Sequence, residues 1–145
     1  MSSREYPLFP IPGVGVICFD ADAVLLIQRG KEPRRGEWSI PGGAVEVGET
    51  VREAALREFR EECGGEIVLQ QLVDVLDLIS HDDQGRVRFH YTLIDFWAEW
   101  IGGELHAGDD VMDARWVAPG ELDAFGLPAS TRAVIDKAIG MRAKQ

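Results

Sequence analysis

Arg57, Glu58, Glu61 and Glu62 place three carboxylates and a cation within six residues. On a helix, at about 100° per residue, Glu61, Glu58 and Glu62 fall at roughly −60°, 0° and +40° around the axis, so all three project from one face. Carboxylates this close repel one another, and a bound cation is the simplest agent that makes such a cluster favourable. Oxygen-only donors are the hard-ligand set suited to Mg2+ or Mn2+. A solvated acidic face is the ordinary alternative for RE and EE pairs taken alone. The preceding loop, Trp38-Ser39-Ile40-Pro41-Gly42-Gly43, shifts the balance, because two glycines let an anion or a metal approach the main chain closely.

The elements that must position these groups are legible. Thr50 is an N-cap and Glu53 completes a capping box, so a helix starts near Thr50. Val51 to Cys63 contains neither Gly nor Pro, and Gly64-Gly65 offers a left-handed stop. Leu56, Phe59 and Cys63 are read as the sheet-facing arc, opposite the carboxylates. Ala54 and Ala55 are read as leaving room beside the acids for a bulky ligand, and Arg57 can lie beside Glu53 or Glu61.

Residues 43–65, with the sequence GAVEVGETVREAALREFREECGG, resemble the Nudix box of MutT-like proteins, G-x5-E-x7-R-E-U-x-E-E-x-G-U with U bulky and apolar. Gly43, Glu49, Arg57, Glu58, Phe59, Glu61, Glu62 and Gly64 fill eight of its nine defined places. Gly65 stands where an aliphatic residue is usual, which touches packing after the helix and removes no ligand. The resemblance implies an α/β/α sandwich with a mixed β-sheet between helices. It also implies cleavage of a pyrophosphate bond in a nucleoside diphosphate linked to another group, with Mg2+ or Mn2+. A diphosphate repels nucleophiles by its own charge, so a catalyst must neutralise its oxygens and activate water, and three carboxylates on one face suit that task.

Glu58, Glu61 and Glu62 are therefore expected as metal ligands, with the Gly43 carbonyl as a main-chain ligand. Glu58 or Glu61 is the candidate general base, and Arg57 with Glu49 forms an orienting ion pair as in the family pattern. Family members often draw a further acidic ligand from a loop before a late strand, and Asp110 is best placed for it, ahead of Asp109 and Asp113. Arg29, Trp38, Gly42 and Gly43 are the candidate substrate contacts. His81, His90 and His106 show no ligand spacing.

Composition bounds the function. The 145 residues carry 15 basic and 25 acidic side chains, a net charge of −10, which argues against a DNA- or RNA-binding role and leaves small anions held through cations and local arginines. No stretch approaches the roughly 20 apolar residues of a membrane span, and MSSREYPLFP is not a secretion signal, so a cytoplasmic protein is expected. Cys18 and Cys63 lack metal or redox spacing and are read as reduced core residues.

Residues 13–19 and 23–29 read as strands about the turn Asp20-Ala21-Asp22, followed by a charged loop over 30–37. An extended stretch from Glu66 to Ile79, a turn at 81–85 and a long strand from Arg86 or Val87 to about Trp100 come next, the last central because it is apolar on both faces. Residues 114–117 form another strand, 119–125 a short helix, and 130–142 an amphipathic helix with Val134, Ile135, Ala138 and Ile139 inward. The whole of 1–145 is read as one domain.

The leading reading is a metal-dependent pyrophosphohydrolase of a small nucleotide. The proline about sixteen residues past the box in typical ADP-ribose hydrolases is replaced here by Ser80-His81, and the tyrosine of dinucleoside polyphosphate hydrolases is absent too. Of the two main contenders, ADP-ribose-like nucleotides and nucleoside triphosphates, this tilts the reading slightly toward a triphosphate or an unclassified substrate. The alternative is a catalytically silent Nudix module that senses nucleotides or binds a partner. A homodimer is compatible with either.

Overall fold

A computed structural model describes residues 4–145. Seven strands form one sheet: β1 (Ile11–Asp20), β2 (Ala23–Arg29), β3 (Trp38–Ser39), β4 (Gly42–Ala44), β5 (Glu66–His81), β6 (Val87–Gly102) and β7 (Val111–Val117). Helix α1 (Val51–Cys63) follows β4, and a 3-10 helix (Pro119–Phe125) and α2 (Ala129–Ala143) follow β7. The order β3-β2-β1-β6-β5 carries two side branches, β4 on β1 and β7 on β2. β1 and β6 run parallel and the other pairs antiparallel, giving the expected mixed sheet with β6 internal. Among the described residues no helix is long and apolar enough to cross a membrane.

β1 and β2 pair only at the turn, Phe19 with Val24 and Asp20 with Ala23. Beyond it they diverge, because β4 takes the free edge of β1 while β3 and β7 take those of β2. The divergence seats the Gly-rich strand β4 directly against Gly13 to Gly15.

Alternation along β1 divides the core. Val14, Val16 and Cys18 face α1 with Phe96, Ala98, Ala54, Ala55, Phe59 and Cys63. Ile17 and Phe19 face α2 with Trp97, Val134, Ile135 and Ala138, as the period of two requires. Cys18 and Cys63 are free and buried.

Helix α1 keeps its expected limits. The Thr50 hydroxyl accepts from Glu53 N–H at 3.1 Å, the Glu53 carboxylate accepts from Thr50 N–H at 2.9 Å, and Gly64 ends the helix in the left-handed region. Its orientation differs from the sequence reading. Leu56 is 37 % exposed, whereas Ala54 and Ala55 are fully buried. The sheet-facing arc is thus centred between the alanines and Phe59, and it takes in the flanks of Glu58 and Glu62. The alanines' small size lets the helix lie close on the sheet; it does not open space for a ligand.

Gly65 has a packing reason to depart from the family pattern. A Cβ there would stand 1.9 Å from the Trp100 ring, which packs edge-on against Phe59 and Trp116. The indole fills the space of the usual aliphatic side chain. Gly65→Val should destabilise the fold by about 1–3 kcal/mol through overpacking. Urea melts of Gly65→Val, Trp100→Leu and the double variant check this, and the double variant should cost less than the sum of the two.

Candidate active site

Arg57 is the hub of the acidic cluster. Its Nε donates to Glu49 Oε2 at 2.6 Å, and Nη2 donates to Glu49 Oε1 and to the Ala44 carbonyl, both at 2.9 Å. Nη1 donates to Glu58 Oε1 at 2.9 Å and lies 3.4 Å from both Glu61 oxygens. This fork-on-fork geometry makes Glu49 a bidentate partner and holds its carboxyl down to about 2. Glu53, the other partner open to Arg57 from sequence, is engaged in the capping box instead.

Glu62 turns inward, where its Oε1 accepts from Gly42 N–H at 2.7 Å. Burial pushes its carboxyl up to about 7, and the nearby charges of Glu58 and Asp110 add to the rise while Gly42 N–H and Arg29 oppose it. Burial raises the Glu58 carboxyl as well, against Arg57. Glu61 is the most exposed of the three, its side chain 59 % exposed and paired with Arg57 at 3.4 Å.

Strand β4 fits around these acids. A Cβ at Gly43 would lie 2.3 Å from Glu58 Cδ and 2.4 and 2.6 Å from its oxygens, so the carboxylate occupies the place of the missing side chain. A Cβ at Gly42 would lie 2.1 Å from the Val14 carbonyl oxygen. The first glycine makes room for the acid and the second for the sheet.

The loop before β7 is stitched to the C-terminal end of α1. His106 N–H donates to the Cys63 carbonyl and Gly108 N–H to that of Glu62, at 3.1 and 2.9 Å. These bonds satisfy helix-end carbonyls and bring Asp110 within electrostatic reach of Glu62. The Asp110 carboxylate pairs with Lys31 at 3.0 Å.

Among the described residues no three His, Cys, Asp or Glu side chains are gathered tightly enough to hold an ion as they stand. Glu58 is turned to Arg57 and Glu62 to Gly42. The donor set nevertheless suits a hard cation. Two carboxylates are raised by burial, two more acids lie beside them, and a Gly43 without Cβ admits an approach to its carbonyl.

A cavity of about 840 Å³ opens where β4 meets the α2 face of the sheet. Arg29, Gly42 and Gly43 line it, together with Arg34 and Arg88. Trp38 lies apart from that lining, packed edge-on against Phe125 with the Arg115 guanidinium over its ring. Sequence reasoning passes over Asp95, which also lines the cavity and is only 2 % exposed. The available signal was an acid inside the apolar run TLIDFWA.

Residues 10–138 match the family model described as the NUDIX domain, and the chain belongs to that family. It is 39 % identical over 115 residues to an ADP-ribose pyrophosphatase of Methanocaldococcus jannaschii, a match covering 78 % of this chain and 66 % of that protein. It is 29 % identical to the nucleoside triphosphatase NudI of Escherichia fergusonii, over 87 % of this chain and 88 % of the relative. Among solved structures, a MutT NUDIX hydrolase from Burkholderia pseudomallei superposes with a TM-score of 0.75 at 30 % identity, covering 89 % of this chain and 98 % of the other.

Proposed function

We propose that the protein is a divalent-metal-dependent pyrophosphohydrolase acting on a nucleoside triphosphate or a nucleoside diphosphate linked to a second group, ADP-ribose included. The observation that carries this reading is the pair of part-buried carboxylates, Glu58 and Glu62, held against Gly43 and Gly42, which themselves line a nucleotide-sized cavity. The relatives named above act, by their names, on both kinds of substrate.

Glu58, Glu61, Glu62 and the Gly43 carbonyl would hold Mg2+ or Mn2+, with Asp110 as a further ligand from the docked loop. When bound, the cation neutralises diphosphate oxygens and lowers the pKa of a water. Arg57 orients Glu58 and Glu61 through one guanidinium edge while Glu49 and the Ala44 carbonyl fix the other. Glu61 is the freer of the two candidate bases and can reach a water without breaking a short ion pair. Arg29 sits on the cavity wall with its charge felt at Glu62, where it can bind phosphate oxygens.

Arg57→Lys removes the bidentate contact while keeping the charge. It should lower kcat/KM by about 10–100-fold, the usual scale for a group that orients ligands. Steady-state kinetics at fixed Mg2+ check this, and a shift in KM for Mg2+ is expected alongside. The reading as a whole is tested with a nucleotide panel, with Mg2+ or with chelator, and product identification. Metal-dependent release of a nucleoside monophosphate is expected; tight nucleotide binding without turnover would instead favour a silent module.

A further inference from the structure

Asp95 stands opposite Gly15 on β1 and Asp74 on β5, in the middle of the sheet. A Cβ on Gly15 would come 2.3 Å from Asp95 Oδ1 and 2.9 Å from Ile40 Cδ1, so the carboxyl lies over the bare Gly15 backbone beside Ile40. No hydrogen bond or ion pair to its side chain is formed among the described residues, although Asp74 has Lys137 as partner at 3.5 Å. A buried carboxyl without a partner is costly and needs a compensating donor.

The cavity indicates the kind of donor. Its floor continues from Asp95 to Leu93 and Leu76, which face each other across β5 and β6, and Val134 of α2 closes over it. These apolar walls suit a flat heterocycle better than a hydrated sugar. Arg29, Gly42 and Gly43 line the same cavity, with Gly42 on the far side of Gly15 from Asp95 and next to the acidic cluster. An occupant with phosphate on Arg29 and Gly43 and a planar donor toward Asp95 is a nucleotide.

We propose that Asp95 reads the base of the substrate, accepting a hydrogen bond from an exocyclic amino group. This rests on the nucleotide-hydrolase reading above for the identity of the ligand. Bases with an amino group at that edge are bound, and those with a carbonyl there meet an acceptor facing an acceptor. A site built to hydrogen-bond a substrate group discriminates strongly against an analogue lacking it, because the buried partner is then left unpaired. Asparagine is nearly isosteric and offers an N–H to a carbonyl, so Asp95→Asn should redirect the preference toward carbonyl-bearing bases.

The test is equilibrium binding, by calorimetry, of the matched pairs ATP against ITP and CTP against UTP, to the wild type and Asp95→Asn, each with the non-hydrolysable α,β-methylene linkage and Mg2+. The wild type should bind at least one amino partner at least ten-fold more tightly than its carbonyl match, and Asp95→Asn should abolish or invert that ratio. Equal binding of both members of each pair by the wild type would overturn the proposal without any variant. An unchanged ratio in Asp95→Asn would overturn it too, leaving Asp95 a structural residue. The hydrolase reading stands or falls separately, on turnover of the natural nucleotides: amino-selective, Asp95-dependent binding without turnover retains the base reader and removes the enzyme.

Discussion

Replacing Glu62 by glutamine should cut turnover sharply and, in metal-free buffer at pH 8, raise the melting temperature. The folded carboxyl sits at about 7 against an ordinary 4.5, so between those values the folded chain holds a proton that the unfolded chain has released. Stability contributed at this site is therefore full below about pH 4.5, falls as the pH rises through 7, and stays low above it. A shift of that size corresponds to at most about 3–4 kcal/mol. Glutamine keeps an oxygen for Gly42 N–H and removes the buried charge, so the pH dependence should flatten and the variant should be the more stable protein at pH 8. Activity should move oppositely, with kcat/KM down by about 100-fold or more through loss of a charged ligand. Thermal melts at pH 5 and 8 with chelator, beside kinetics with Mg2+, check both halves. A variant less stable than wild type at pH 8 would mean that Glu62 is a fold-supporting acid.

Gly43→Ala should separate site from fold in a second way. The three atoms nearest the added methyl all belong to the Glu58 carboxyl, the far end of a flexible side chain, which can swing aside. The fold should survive, yet the acid leaves its place beside Arg57 and the Gly43 carbonyl. A displacement near 1 Å at a reacting centre costs about 100-fold in rate. Gly42→Ala is the control, because its methyl meets the Val14 carbonyl and the backbone cannot yield. Kinetics and melting curves on the pair should show lost activity with an intact melt for Gly43→Ala, and a lowered melt for Gly42→Ala. Equal melts would show that β4 moves as a unit and that the two glycines have no separate roles.

The parts legible in the sequence are those written locally. The capping box at Thr50, the stop at Gly64 and the strand alternation rest on neighbours within a few residues; α1 lies where that reading puts it, whereas β3 and β4 fall in the stretch read as a Gly-rich loop and β7 starts at Val111, ahead of the expected Ala114. The Arg57–Glu49 pair follows from the family spacing and is present. The roll of α1 was not legible, because whether Leu56 or Ala55 faces the sheet depends on how closely β4 and α1 approach. Nor was Asp95, whose meaning comes from Gly15, 80 positions away in the chain and adjacent in the sheet. The Gly65 exception is likewise explained only by Trp100 on a distant strand.

The most direct test of the central claim is a Mn2+ titration of the wild type and of Glu58→Gln, followed by electron paramagnetic resonance and, in the same samples, by nucleotide turnover. Turnover should rise in proportion to bound Mn2+ in the wild type, and both binding and turnover should be weakened together in the variant. Turnover that proceeds with chelator present, or Mn2+ bound with undiminished affinity in Glu58→Gln, would contradict an acidic cluster that works by holding a cation against the diphosphate.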